Sequence, residues 1–133
     1  MGAWDFQPWD NDSAADWYGD LFDRTKLAQH VEATLQLDPE TNGEKVRAAA
    51  SLVLMLGRTY IWPIHDLDRH LTLAADQLER LAQASEEAED PPELIAQIRA
   101  EIAELRSRIR PPGAEPPAPS SAPPEKPWWQ FWK

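Results

Sequence analysis

The chain has no cysteine, which removes disulfide staples, thiolate zinc sites and cysteine nucleophiles. It also lacks any apolar stretch approaching the ~20 residues that span a bilayer. Its longest apolar block, Ala48 to Gly57, is short and interrupted by Ser51. Bases are scarce: 23 acids stand against 13 lysines and arginines, a net charge of −10 over 133 residues. An acidic surface repels the phosphate backbone, so nucleic acid is not expected as a partner of the body. A basic protein, by contrast, is drawn to such a surface with a salt-dependent on-rate. The same charge also serves simply to keep a small protein in solution. Glycines number only five and are scattered singly; no phosphate loop, dinucleotide fingerprint or nucleophile elbow is present. The N-terminus has no basic start and carries acids where the apolar region of a secretory signal falls, so the expected location is the cytoplasm. The length suits one domain with a real core.

What the chain does have is tryptophan and proline, seven and 13 respectively. Residues 1–11 read as irregular, with Gly2 and Pro8 as loop residues. Asp12 or Ser13 is the expected N-cap of a first helix, and Ser13 with Asp16 resembles a capping box. Ala14, Trp17, Tyr18, Leu21 and Phe22 recur at helical spacing and give that helix one apolar face. A second helix is expected over residues 25–37, with Leu27, Val31 and Leu35 one turn apart. Residues 38–43 read as a turn. The segment 44–56 is apolar nearly all round after Arg47, the pattern of a central, most buried helix, with Gly57 as its C-cap. Thr59 to Pro63 reads as an extended connector.

A long helix is expected over residues 66–87, with Leu67, Leu71, Ala74, Leu78 and Leu81 on one side. Asp90-Pro91-Pro92-Glu93 restarts the chain as a helix, with Asp90 at the N-cap. That last helix runs to about Arg110 and carries Ile95, Ile98, Ile102, Leu105 and Ile109 on a three-four stripe. Two such stripes joined by a short turn predict an antiparallel hairpin with coiled-coil-like packing. Arg106, Arg108 and Arg110 suit the negative end of the helix dipole. Residues 111–127 hold eight prolines and are expected as a semi-stiff, largely disordered tether. The predicted fold is all-α. About five helices form an acidic domain over residues 1–110 with an N-terminal aromatic plug, followed by the linker 111–127 and a tryptophan-rich tip, 128–133.

The opening of the chain, with Trp4, Pro8, Asn11, Asp12, Ala14 or Ala15, Asp16 and Trp17, resembles that of the bacterial domain-of-unknown-function 4259 family. It departs where Asp5 stands for a usual glycine and Trp9 for a usual phenylalanine. Residues 44–57 also look like the family's alanine-rich central helix, and the resemblance extends to about Leu81. The family has no assigned activity, so the resemblance implies a fold unit and no reaction. Physically the motif reads as a plug: Trp4, Trp9 and Trp17 can each bury roughly 150–250 Å², Asp12 caps the first helix, and Asn11 or Asp16 ties the preceding loop to backbone N–H groups. The functional alternative is an acidic site built from Asp10, Asp12, Asp16 and Asp20. A calcium loop counted from Asp10 fails, because Ala14, Ala15 and Leu21 fall where ligands and glycine are needed.

His65, Asp66, Asp68 and His70 are the one cluster with the residue types of metal or acid–base chemistry. The two histidines are five apart, however, on different helical faces, and zincin spacing requires i and i+4. Asp66 reads better as an N-cap and His70 as an exposed helix residue. No catalytic residue, cofactor or metal is therefore assigned, and a metal-dependent enzyme at His65, Asp66 and His70 is only a rival reading.

The strongest functional signal is the tip, Trp128, Trp129, Phe131 and Trp132. It suits docking in an apolar groove of a protein partner. Alternatives are contact with a membrane surface, aided by Lys126 and Lys133, or folding back on its own domain. The expected function is a non-enzymatic interaction module, an adaptor or immunity-like protein. The stripe on the last helix also leaves room for a homodimer.

Overall fold

The computed structural model describes residues 8–9 and 11–110 of the chain. Within them every regular element is helical: α1 (Asp12–Thr25), α2 (Leu27–Leu35), α3 (Pro39–Leu56), α4 (Ile64–Glu87) and α5 (Pro92–Ser107). The all-α expectation holds. Among the described residues no helix is long and apolar enough to cross a membrane.

The helix boundaries follow from caps. Asn11, rather than Asp12 or Ser13, starts α1: its extended backbone lets Oδ1 accept the Ala14 N–H at 2.8 Å, which satisfies one of the first-turn donors. Lys26 adopts a left-handed conformation at φ 55°, and its N–H bonds the Phe22 carbonyl. It ends α1 and begins α2 at once, so the second helix is shorter than predicted. Residues 38–43, predicted to be a turn, are instead the N-cap and opening residues of α3. Asp38 Oδ1 accepts the Glu40 N–H at 2.9 Å and Pro39 occupies the first helical position. Aspartate before proline is equally a turn signal and a helix start, and here the start wins, with a kink left at Asn42. Gly57 caps α3 as expected, but not through a left-handed backbone. A Cβ there would lie 2.3 Å from the Val53 carbonyl oxygen, so the close approach is what requires glycine.

Residues 58–63 are a tight turn, not an extended connector. The Arg58 carbonyl accepts the N–H groups of Ile61 and Trp62, each at 3.1 Å, and Tyr60 is left-handed at φ 74°. The turn drives Ile61 and Trp62 into the core, 5% and 1% exposed. Asp66 does not cap α4; that position belongs to Pro63, and α4 begins at Ile64. Likewise Pro91 stands at the start of α5 in place of Asp90, whose N–H closes the end of α4 on the Ser85 carbonyl at 3.0 Å.

The central helix is α4, not α3. It packs on α2, α3 and α5 and buries Leu67, His70, Leu71, Ala74, Ala75, Gln77, Leu78, Ala82 and Ser85. Helix α3 turns Val46, Ala49, Ala50 and Val53 to the core, yet leaves Ala48 and Met55 exposed. The α4–α5 hairpin forms as predicted on Ile98, Ile102 and Leu105. Arg99 bridges it to Glu79 at 2.6 Å and Glu86 at 3.2 Å. Arg47 ties α3 to α5 with a two-pronged bond to Glu101, at 3.0 and 2.7 Å.

Candidate functional site

Two places concentrate polar chemistry, and they differ in exposure. The first lies between α2, α4 and the turn that precedes α4, with His70 and Trp62 buried and Glu32 at its edge. The Trp62 indole N–H donates to His70 Nδ1 at 2.9 Å, and His70 Nε2 meets Glu32 Oε1 at 2.8 Å. An indole N–H can only donate, so Nδ1 is the acceptor and the ring proton sits on Nε2, pointing at the carboxylate. His70 is 1% exposed. The Trp62 ring lies edge-on to Phe22 at 5.1 Å. Glu32 is completed by Arg69 at 2.7 Å, which also holds Asp66 at 2.8 Å. The hydrogen bond from His70, then that from Arg69, holds the Glu32 carboxyl below its ordinary range.

The sequence reading of His70 as an exposed residue is therefore wrong. Its position on α4 coincides with the α2-facing side, one turn before Ala74 and beside Leu71. The cluster proposed from His65, Asp66, Asp68 and His70 is also divided. His65 faces solvent, Asp66 pairs with Arg69, Asp68 pairs with Arg110 at 2.8 Å, and His70 is bonded into the core. Among the described residues no group of three or more His, Asp or Glu is arranged to hold a metal ion.

The second place is the outer side of α1. Trp17 was predicted to plug the core, but it is 62% exposed, with its ring edge-on to Tyr18 at 5.4 Å. Phe22 alone on this helix is fully buried, Tyr18 packs partly buried against the core, and the other side of the helix points outward. Asp12, Asp16, Asp20 and Asp23 are all exposed. Asp20 pairs with Arg24 at 2.8 Å, both well exposed, a contact of little energetic weight. The cap expected of Asp12 is made by Asn11. Trp9 fares closer to the prediction: it is half-buried against the core, with the Arg58 guanidinium 5.0 Å from its ring centroid. Trp4, Phe6 and Asp10 of the motif lie outside the described residues, as do the linker 111–127 and the tip Trp128, Trp129, Phe131 and Trp132.

Sequence reasoning missed Trp62, Glu32 and Gln77. The one signal for Trp62 was a large aromatic directly before proline in a segment too short to be a strand. Gln77 is buried because its side-chain N–H groups donate to the Leu35 and Leu37 carbonyls, at 2.6 and 2.9 Å, the orphan acceptors at the end of α2. Nothing local to Gln77 announces that role.

No curated protein and no solved structure matches the chain. The family model described as a domain of unknown function, DUF4259, matches residues 2–110, and the chain belongs to that family.

Proposed function

We propose that this DUF4259 member is a non-enzymatic interaction module, of adaptor or immunity-like type. Its acidic helical body docks on a basic protein surface through the outer face of α1. The tip Trp128, Trp129, Phe131 and Trp132 supplies a second contact. The observation that carries the reading is Trp17, 62% exposed in a helix whose exposed residues include four aspartates, Asp12, Asp16, Asp20 and Asp23, against one arginine, Arg24. Tryptophan dominates binding energy where it fills a partner's pocket, and an indole left in water has no folding role that requires it. The aspartates set the partner's sign. The two glutamates and two lysines beyond Pro111 cancel, so the whole net charge of −10 resides in residues 1–110. The tether would raise the local concentration of the second contact without tightening either one. His70, the one buried imidazole, has both ring nitrogens committed to structural bonds, which also favours a scaffold over a catalyst.

The test is capture from native lysate with three full-length baits: the natural chain, Trp17→Ala, and a chain with the four tip aromatics changed to serine. A prey that is weakened by each variant and released by raised salt is the expected result. Captures indifferent to both variants would overturn the proposal.

A further inference from the structure

Four aromatic side chains in water form a costly apolar surface, and one helix of the body carries an apolar stripe with no cover among the described residues. On α3, Ala48, Leu52 and Met55 follow one another at four and three residues, which sets them on one side of the helix. Ala48 is exposed, Met55 is 59% exposed and Leu52 is only partly buried. A surface helix normally shows polar residues there. The polar residues that flank this side are Ser51, whose hydroxyl already donates to the Ala48 carbonyl at 2.6 Å, and the exposed Glu44 and Lys45 towards the N-terminal end.

The root of the tail lies beside this stripe. Arg108 Nη1 donates to the Leu54 carbonyl at 2.7 Å, next to Met55, and reaches the Gly57 carbonyl at 3.5 Å. Arg110 is pinned to Asp68 by its backbone N–H at 3.3 Å and by Nε at 2.8 Å. The chain therefore leaves the body at the C-terminal end of α3. Residues 111–127 can reach roughly 50 Å at about 3.1 Å per residue, whereas α3 is roughly 27 Å long at about 1.5 Å per residue. Every point on the stripe is within reach of the tip, at the high effective concentration of a short tether. The chemistry is complementary as well. A thioether makes favourable contacts with aromatic rings, and the Ala48 methyl leaves room for a flat ring.

We propose that Trp128, Trp129, Phe131 and Trp132 fold back onto the Ala48–Leu52–Met55 stripe of α3 in the same molecule, as a latch that a partner must displace. This rests on the reading of the tip as a docking element and adds its resting place.

The chain itself offers the probes. It has no cysteine and only two methionines, Met1 and Met55, so a nitroxide on Gln130→Cys and carbon-13 methyl labelling of methionine each report cleanly. In the full chain the Met55 methyl signal is lost with the nitroxide oxidised and returns when it is reduced. Ala48→Glu, on the solvent side of α3, restores the signal even in the oxidised state, with helicity unchanged by circular dichroism. Mixing nitroxide-bearing chains with methyl-labelled chains that carry none leaves the signal intact. A Met55 signal indifferent to the nitroxide overturns the latch. So does its loss in the mixed sample, which would assign the stripe to a second copy. Either failure leaves the partner-docking reading standing, since lysate capture by the tip tests that separately.

Discussion

Trp62 is 1% exposed in the junction of α2 and α4, edge-on to Phe22 and bonded to His70. Trp17, on α1, is 62% exposed, and the ring contact described for it is with the adjacent Tyr18. Helical period put Trp17 on an apolar face and left Trp62 in a connector, the reverse of what the fold does with them. Burial was decided by backbone path: the Arg58 carbonyl and the left-handed Tyr60 bend the chain so that residue 62 enters the core. Helix α1 is seated by Phe22, with Tyr18 partly buried beside it. The buried indole serves stability, and the exposed one is the residue on which the proposed docking rests.

The difference can be broken from the buried side first. Trp62→Ala removes the ring and leaves a cavity, and should cost about 3–5 kcal/mol, read as a lower urea midpoint. His70→Phe keeps the volume but leaves the indole N–H without a partner, for about 1–3 kcal/mol. Combining it with Trp62→Phe should cost less than the sum of the two single changes, because both halves of the bond then vanish together.

Acid should act on the carboxylates that tie helices together. Burial pushes Glu101 up, but the hydrogen bonds from Arg47 and Gln97 outweigh it, so its carboxyl sits below the ordinary range. Glu79 is lowered chiefly by Arg99 and Glu32 chiefly by His70. A folded value below the unfolded one means stability that is fully present above the ordinary carboxylate pKa of about 4.3 and is lost as pH falls through the folded value. Denaturant midpoints should therefore drop on that acid limb, and Glu101→Gln should make the limb shallower.

The smallest effect belongs to the exposed indole. Trp17→Ala should change stability by no more than about 0.5 kcal/mol, while partner capture falls. A large loss of stability would place Trp17 back in the folding role that its spacing suggested.

The helices were legible because each long one carries its own periodicity: the stripe of Ile98, Ile102 and Leu105 is buried as read. Caps were harder. Asn11, Asp12 and Ser13 are all good N-caps, as Asp38 and Asp90 are, and only backbone geometry selects among them. The polar junction was not legible at all. Trp62 and His70 are eight residues apart and Glu32 a further 38 from His70, so no local pattern links them. The exposure of Trp17 was equally hidden, because an amphipathic face says that a side can be buried and not that the remaining helices have room for it.

Helix α2 has nine residues, and a cylinder that short, seated on α3 and α4 through Ala28, Val31 and Leu35, could roll or creep with little change in greasy contact. Glu32 is fastened to His70 from the side, and Gln77 grips the carbonyls of Leu35, the helix's last residue, and of Leu37 just beyond. One fastening forbids rotation and the other forbids sliding, so α4 holds its smallest neighbour at a single setting, like a keyed shaft against an end stop.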